Sequence, residues 1–169
     1  MAPNVNQDEV LRLIREHQKI IYKICNSYCN NKNDREDLGQ EIVYQLIKSY
    51  PSFKPEYKFS TWMYRVALNV AISFYRKSKN DNKVTLVDQH EDYEDNNEHA
   101  IRLEDNINIL QQFIDELKEL DKALMLLYLE SKSYKEITEI IGISETNVAT
   151  RISRIKEKLK QRFSNINQH

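Results

Sequence analysis

Three groups of side chains in this sequence could do chemistry, and in each case the chemistry is binding. Between Arg151 and Arg162, six cations (Arg151, Arg154, Lys156, Lys158, Lys160 and Arg162) face one acid, Glu157. Cations repeated along one side of a helix meet phosphates, while Asn147, Thr150 and Arg154 carry donors and acceptors able to read base edges. A second group alternates base with aromatic: Lys54, Lys58, Arg65, Arg76, Lys77 and Lys79 among Phe53, Tyr57, Phe59, Trp62, Tyr64 and Tyr75. Single-stranded nucleic acid needs that mixture, since its phosphates want cations and its unpaired bases want flat surfaces. Phe59, Trp62 and Phe74 are expected to pack, leaving Tyr57 or Phe53 for an exposed contact. The third group is polar. Asp37, Gln40, Glu41 and Tyr44 recur at three- and four-residue spacing, which makes one continuous helix face open to a protein partner. Carboxylates at the start of that helix also suit its dipole.

The elements that must position these groups read as helices throughout. An apolar stripe (Val10, Leu13, Ile14, His17, Ile20, Ile21, Ile24, Tyr28) predicts one helix over Glu9 to Tyr28. After the break Asn30-Asn31-Lys32-Asn33, Asp34 reads as the N-cap of a second helix carrying Leu38, Ile42, Val43, Leu46 and Ile47, ended by Pro51. The stretch Pro51 to Phe59 reads as an ordered loop. Ser60 or Thr61 then caps a third helix with Met63, Val66, Ala67, Val70, Ala71 and Phe74, running to about Lys77. From Lys79 to about Glu98 the periodicity fails and acids accumulate, the composition of a flexible linker. Patterning resumes with Leu103, Ile107, Leu110, Phe113, Ile114 and Leu117, then with Leu120, Leu124, Leu127 and Tyr128. Ser133 with Glu136 three residues later makes a capping box. Gly142 and Ile143 form a turn, and Ser144 caps a last helix bearing Val148, Ile152, Ile155 and Leu159. A short helix, a Gly-containing turn and a longer helix is the helix-turn-helix pattern, with an ordinary αα-corner as its alternative.

The expected fold is therefore all-α: two small helical domains, 1–78 and 103–169, joined by an acidic linker, 79–102, the second domain a helix-turn-helix. With 2 Gly and 3 Pro in 169 residues, hairpin-rich β architecture and Gly-rich phosphate loops are excluded. The N-terminal residues lack the basic and apolar regions of a secretory signal, and no apolar run approaches a membrane span. The expectation is a cytoplasmic protein that does not insert in a membrane. Cys25 and Cys29, the only cysteines, sit at helical spacing as small buried hydrophobes. With His17, His90, His99 and His169 scattered, they give no metal-ligand set. No carboxylate cluster, Cys/His pair or phosphate loop has the spacing of an active site, so neither an enzyme nor a cofactor is expected. The 25 basic and 26 acidic residues nearly cancel, but they are segregated along the chain.

Three stretches together resemble the extracytoplasmic-function group of bacterial RNA polymerase sigma factors. They are Asp34-Arg35-Glu36-Asp37-Leu38-Gly39-Gln40-Glu41-Ile42-Val43, Phe59-Ser60-Thr61-Trp62-Met63-Tyr64-Arg65-Val66-Ala67-Leu68-Asn69, and Ser133-Tyr134-Lys135-Glu136-Ile137 through Arg154. The resemblance runs from about Glu9 to Arg162. It implies that Asp37, Gln40, Glu41 and Tyr44 bind core RNA polymerase. It implies that Phe53, Lys54, Tyr57, Lys58, Trp62, Arg65, Asn69 and Arg76 lie at the melted -10 promoter element, a base flipping into the loop from Pro51 to Phe59. It also implies that Ser144 to Lys160 enters the -35 major groove. By helical phase, Ala149, Thr150, Ser153 and Arg154 would face bases, with Arg151 and Lys158 near phosphates and Asn147 beside them. An anti-sigma factor is an implied partner. Met63 stands where the family has Leu, and Thr138 where it has Ala at a close helix contact.

Two other functions compete. An autonomous helix-turn-helix regulator would not need the Asp34-to-Glu41 stretch or the aromatic loop. A decoy that binds an anti-sigma factor would keep the helical surfaces without promoter contacts, and the basic face from Arg151 to Arg162 counts against it.

Overall fold

The structure is a computed structural model and describes residues 7–81 and 98–168. Within them the chain forms α1 (Gln7–Glu16), α2 (Gln18–Tyr28), α3 (Lys32–Ser49), a 3₁₀ turn (Tyr50–Ser52), α4 (Phe59–Asp81), α5 (Glu98–Glu116), α6 (Glu119–Leu129), α7 (Tyr134–Ile141) and α8 (Glu145–Asn167). The described residues contain no strand, as expected from the scarcity of turn formers.

Local chemistry corrects several boundaries. The single helix expected over Glu9 to Tyr28 is broken at His17, whose backbone leaves the helical region (φ -111°, ψ 18°). Its Nδ1 lies 2.9 Å from the Leu13 carbonyl oxygen, and its ring tilts against Phe59 at 5.3 Å. A side chain that takes the carbonyl of the preceding turn competes with the helix ladder. The cap of α3 is Asn31, not Asp34. Asn31 Oδ1 accepts from the Asp34 N–H at 2.8 Å, while its Nδ2 donates to the Asp34 carboxylate at 2.7 Å. This puts Asp34 in the first turn, where its charge faces the positive end of the dipole. Helix α4 begins at Phe59, before Ser60 and Thr61, and continues to Asp81. The linker expected at 79–102 is thus shortened at both ends by helix, and 82–97 lie outside the described residues.

The core explains the arrangement. Leu38, Ile42 and Leu46 of α3 are fully buried against Met63, Ala67, Leu68 and Ala71 of α4 and against Ile20 and Ile24 of α2, with Val10 and Ile14 closing one side. In the C-terminal half, α6 is buried from Lys122 to Leu127, which covers every face of the helix. A helix apolar all round needs neighbours on all sides. Its neighbours are α7 and α8 on one side and α2 and α4 on the other, so one apolar cluster runs from Val10 through Ala71 to Ile152. The two halves are packed together. A smaller cluster of Phe113, Met125 and Ile155 joins α5 to α6 and α8. Leu103 and Ile107, expected on the buried stripe of α5, are exposed, and only Phe113 and Ile114 of that stripe are buried.

Polar contacts surround the seam. Lys122 is only 3% exposed, with its ammonium 5.4 Å from the Tyr28 ring centre and 5.0 Å from that of Tyr75. A cation can be kept from water where aromatic faces offer compensating charge. The Tyr28 hydroxyl donates to the Glu119 carbonyl at 2.8 Å, Arg76 pairs with the Glu119 carboxylate at 3.2 Å, and Lys23 pairs with Glu130 at 2.6 Å. Burial, with Glu119 adding to it, pushes the Tyr28 hydroxyl above its ordinary range.

Candidate nucleic-acid interface

The 3₁₀ turn, the loop after it and the first three turns of α4 enclose a cleft of about 580 Å³. Lys54, Tyr57, Trp62, Arg65 and Asn69 line it together, with Ser49, Ser52, Thr61, Val66 and, from α7, Glu139. Arg65 and Asn69 share a face because they are four residues apart on α4. Tyr57 is 56% exposed. Phe53 is not an exposed contact: it is half-buried in a four-ring cluster, 5.8 Å from Tyr50, 5.7 Å from Phe59 and 5.2 Å from Trp62. Phe53 stacks on Tyr50, meets Phe59 edge-on and tilts against Trp62, and aromatic pairs at these separations attract through their ring quadrupoles as well as by burial. The cluster therefore sets the loop, and Trp62 presents one side of itself to the cleft. Lys58 is exposed beside the loop, and Arg76 lies about two turns beyond Asn69 on α4 at the seam between the halves.

The helix-turn-helix has the capped geometry its sequence implies. The Ser133 hydroxyl accepts from the Glu136 N–H at 3.1 Å, and the Glu136 carboxylate accepts from the Ser133 N–H at 2.8 Å. That second bond, aided by the Lys132 and Lys58 cations, holds the Glu136 carboxyl below its ordinary value. Gly142 ends α7 in the left-handed region (φ 83°), and the Ser144 hydroxyl accepts from the Asn147 N–H at 3.2 Å to start α8. Thr138 Oγ1, at the position where the resemblance expects Ala, is buried with no hydrogen-bond partner.

On α8, Asn147, Thr150, Arg151, Ser153, Arg154 and Lys158 are exposed, while Ala149 is half-buried at the edge of that face. A cleft of about 350 Å³ gathers Asn147, Thr150, Arg151, Arg154 and Lys158 with Asp121 of α6. Arg151 donates to Asp121 at 3.1 Å. The other cations divide: Lys156 sits 4.2 Å from the Tyr128 ring centre, and Arg162 pairs with Glu116 while covering Phe113. Of the three cations in this cleft, Arg154 and Lys158 are thus the ones most available to a duplex. On α3, Asp37, Gln40, Glu41 and Tyr44 are all exposed. Asp37 and Glu41 border a groove against α4, while Gln40 and Tyr44 border another against α2. The expected face is present, straddling the crest of α3. Cys25 and Cys29 are buried, with thiols pushed up by burial to about 11 and about 12. Among the described residues no group of three or more His, Cys, Asp or Glu side chains could hold a metal ion.

Comparison with known proteins gives this geometry its context. Residues 13–80 match the Sigma-70 region 2 family, and residues 107–159 match the Sigma-70, region 4 family. The chain is 29% identical to the ECF RNA polymerase sigma factor SigW of Bacillus subtilis (strain 168), over 95% of this chain and 92% of that protein. The chain belongs to the extracytoplasmic-function sigma factors. Proteins of this family direct RNA polymerase to promoters, and so does this one. Two solved structures share its fold. One is CnrH in complex with the cytosolic domain of CnrY, 20% identical over 95% of this chain and 91% of that one, with a TM-score of 0.68. The other is the sigma factor RpoE in complex with the anti-sigma factor NepR from Bartonella quintana, 16% identical over 89% and 95%, with a TM-score of 0.65.

Sequence reasoning missed two features of this sigma factor. It did not bring Glu139 to the aromatic cleft, because nothing local links α7 to α4. It also left α6 facing one half only. The signal was there in Ala123-Leu124-Met125-Leu126-Leu127-Tyr128, an unbroken apolar run with no solvent face to spare. No described helix of the sigma factor is long and apolar enough to cross a membrane.

Proposed function

We propose that this sigma factor divides its work among the three surfaces described above. The crest of α3, through Asp37, Gln40, Glu41 and Tyr44, docks on core RNA polymerase. The cleft of Lys54, Tyr57, Trp62, Arg65 and Asn69 captures the melted -10 strand, with Lys58 and Arg76 beside it. Helix α8 enters the -35 major groove, Thr150, Ser153 and Arg154 toward bases and Asn147, Arg151 and Lys158 toward phosphates. Residues 1–78 and 103–169 form the two functional domains. The chain acts in the cytoplasm as a binding subunit, without catalysis of its own, and an anti-sigma factor is its regulatory partner.

The observation that carries this reading is the aromatic-basic cleft. A helix-turn-helix alone would serve an autonomous regulator. A second site that places Tyr57 and Trp62 beside Lys54, Arg65 and Asn69 has the chemistry for unpaired bases and their phosphates. Duplex DNA presents no exposed base faces, so such a site has work only when strands are separated, which the polymerase accomplishes. The test is binding to core RNA polymerase by the Glu41→Lys variant, which reverses a charge on an exposed crest. The affinity should fall at least tenfold with the helical circular dichroism unchanged. Unchanged affinity for core enzyme overturns the α3 assignment.

A further inference from the structure

The aromatic cluster behind the cleft does not end with the four rings of the loop and α4. His17, at the break between α1 and α2, backs it as a fifth ring, half-buried and 5.3 Å from Phe59 at an interplanar angle of 50°. Phe59 is the first residue of α4, and its other ring contacts are Phe53 at 5.7 Å and Trp62 at 5.5 Å. The rings thus form a chain from His17 through Phe59 to Trp62, braced by Phe53 at 5.2 Å and Tyr50 at 6.1 Å from the indole. Of these rings only Trp62 lines the cleft. His17 is also pinned at its other edge. Its Nδ1 lies 2.9 Å from the Leu13 carbonyl oxygen, and since a carbonyl only accepts, Nδ1 carries the proton and donates. A side chain held by its own hydrogen bond makes a firm wall for Phe59, where an aliphatic chain would keep more rotamer freedom.

We propose that His17 is a positioning residue for strand capture, acting through Phe59 to fix the Trp62 indole on which an unpaired base stacks. The proposal rests on the cleft being the melted-strand site. Stacking a base on an aromatic side chain favours a ring held in place before the base arrives, because ordering it on binding subtracts from the affinity. His17 lies outside the cleft lining, so what it supplies to strand capture is the placement of Trp62.

Trp62 is the only tryptophan of the chain, so its emission reports on the cleft directly. The test pairs that emission, in the full chain, with strand binding by holoenzyme reconstituted with core RNA polymerase. The probe is a fluorescein-labelled single-stranded oligodeoxynucleotide carrying the melted -10 strand of a mapped promoter, read by anisotropy. His17→Asn keeps a donor near the place of Nδ1 and removes the ring. It should shift Trp62 emission to the red and weaken strand binding about fivefold, the scale of one aromatic pair. Affinity for core enzyme and for a -35 duplex should stay unchanged. His17→Phe restores a ring without the donor and should return strand affinity to within twofold of wild type, even where thermal stability is lower. Phe59→Leu should reproduce the loss, and His17→Asn should add nothing to it, because the two act in series. If Trp62 emission does not move, or if the two losses add, His17 does not act through Phe59 and the proposal is wrong. Equal weakening of core, duplex and strand binding by His17→Asn would likewise reduce it to a structural residue. If His17→Asn captures the strand as wild type does while Arg65→Ala weakens capture, the positioning role is wrong and the cleft stands. If Arg65→Ala and Trp62→Ala both leave capture unchanged, the cleft is not the strand site and the underlying reading fails with it.

Discussion

Asp121→Asn offers a quantitative view of how α8 meets a duplex. Three cations line the small cleft on its outer face, Arg151, Arg154 and Lys158, but Arg151 is held by Asp121 at 3.1 Å. A cation already neutralised by a carboxylate releases no counterion when a phosphate arrives. With Arg154 turned to bases, the wild-type face should therefore contribute about 0.9 × 1 ≈ 0.9, from Lys158, to the slope of log K against log salt, and the variant about 0.9 × 2 ≈ 1.8. The difference of about 0.9 corresponds to a gain in relative affinity of roughly 3.5-fold on going from about 200 to 50 mM salt. The assay is anisotropy of a labelled duplex carrying the upstream half of a mapped promoter, bound by the reconstituted holoenzyme across that range. Contributions from the polymerase cancel in the comparison. Asp121 also sits in the first turn of α6, so its removal should lower stability by about 0.3–1 kcal/mol, which urea titration would report separately. An unchanged slope would refute the reasoning. It would mean that Arg151 stays off the phosphates, or that it leaves Asp121 whenever DNA binds.

Thr138→Val replaces a buried, unpartnered hydroxyl with a methyl of the same shape; stability should rise by about 1 kcal/mol and Tm by roughly 2–4 °C, measured by thermal denaturation. A fall in Tm would show that Thr138 has a partner in solution. Gly142→Ala places a side chain at φ 83° where nothing lies within 4 Å of the new Cβ. The cost is then conformational alone, about 1–2 kcal/mol, and urea unfolding giving less than half that would argue that the turn relaxes. The Glu136 carboxyl is held below its ordinary value of 4.5 in the folded chain, first by the Ser133 N–H. A depressed carboxylate contributes stability that is fully present above 4.5 and is lost as pH falls through the folded value. Glu136→Gln should therefore flatten the acid limb of a stability-against-pH profile, and an unaltered limb would remove the capping box as its cause.

Much of this was legible in the residues, for reasons that differ from element to element. Helices α7 and α8 could be read because their determinants are local: Ser133 with Glu136, Gly142, and Ser144 each act within four residues. The face of α3 could be read because three- and four-residue spacing alone puts Asp37, Gln40, Glu41 and Tyr44 on one side. The break at His17 could not be read in full: its Nδ1 reaches the Leu13 carbonyl four residues back, but its ring also packs on Phe59, 42 positions away in the chain. Phe53 was misplaced for the same reason. An aromatic in a loop is exposed or buried according to which rings surround it, and Tyr50, Phe59 and Trp62 converge only in three dimensions. The cation counts misled at Arg151, Lys156 and Arg162, each of which has an internal partner. Spacing gives the face that a side chain occupies; the charge it has left to offer depends on what folds against it.

The central claim is that this sigma factor makes core RNA polymerase start at promoters it would otherwise ignore, with the cleft on α4 holding the melted strand. Reconstituted transcription from genomic DNA, with start sites mapped for core enzyme alone, with the wild-type chain and with Arg65→Ala, tests it most directly. The expected result is a discrete set of start sites that share upstream sequences, appear only with the wild-type chain and weaken severely with Arg65→Ala. No new start sites with the wild-type chain would contradict the account and leave the decoy reading in its place.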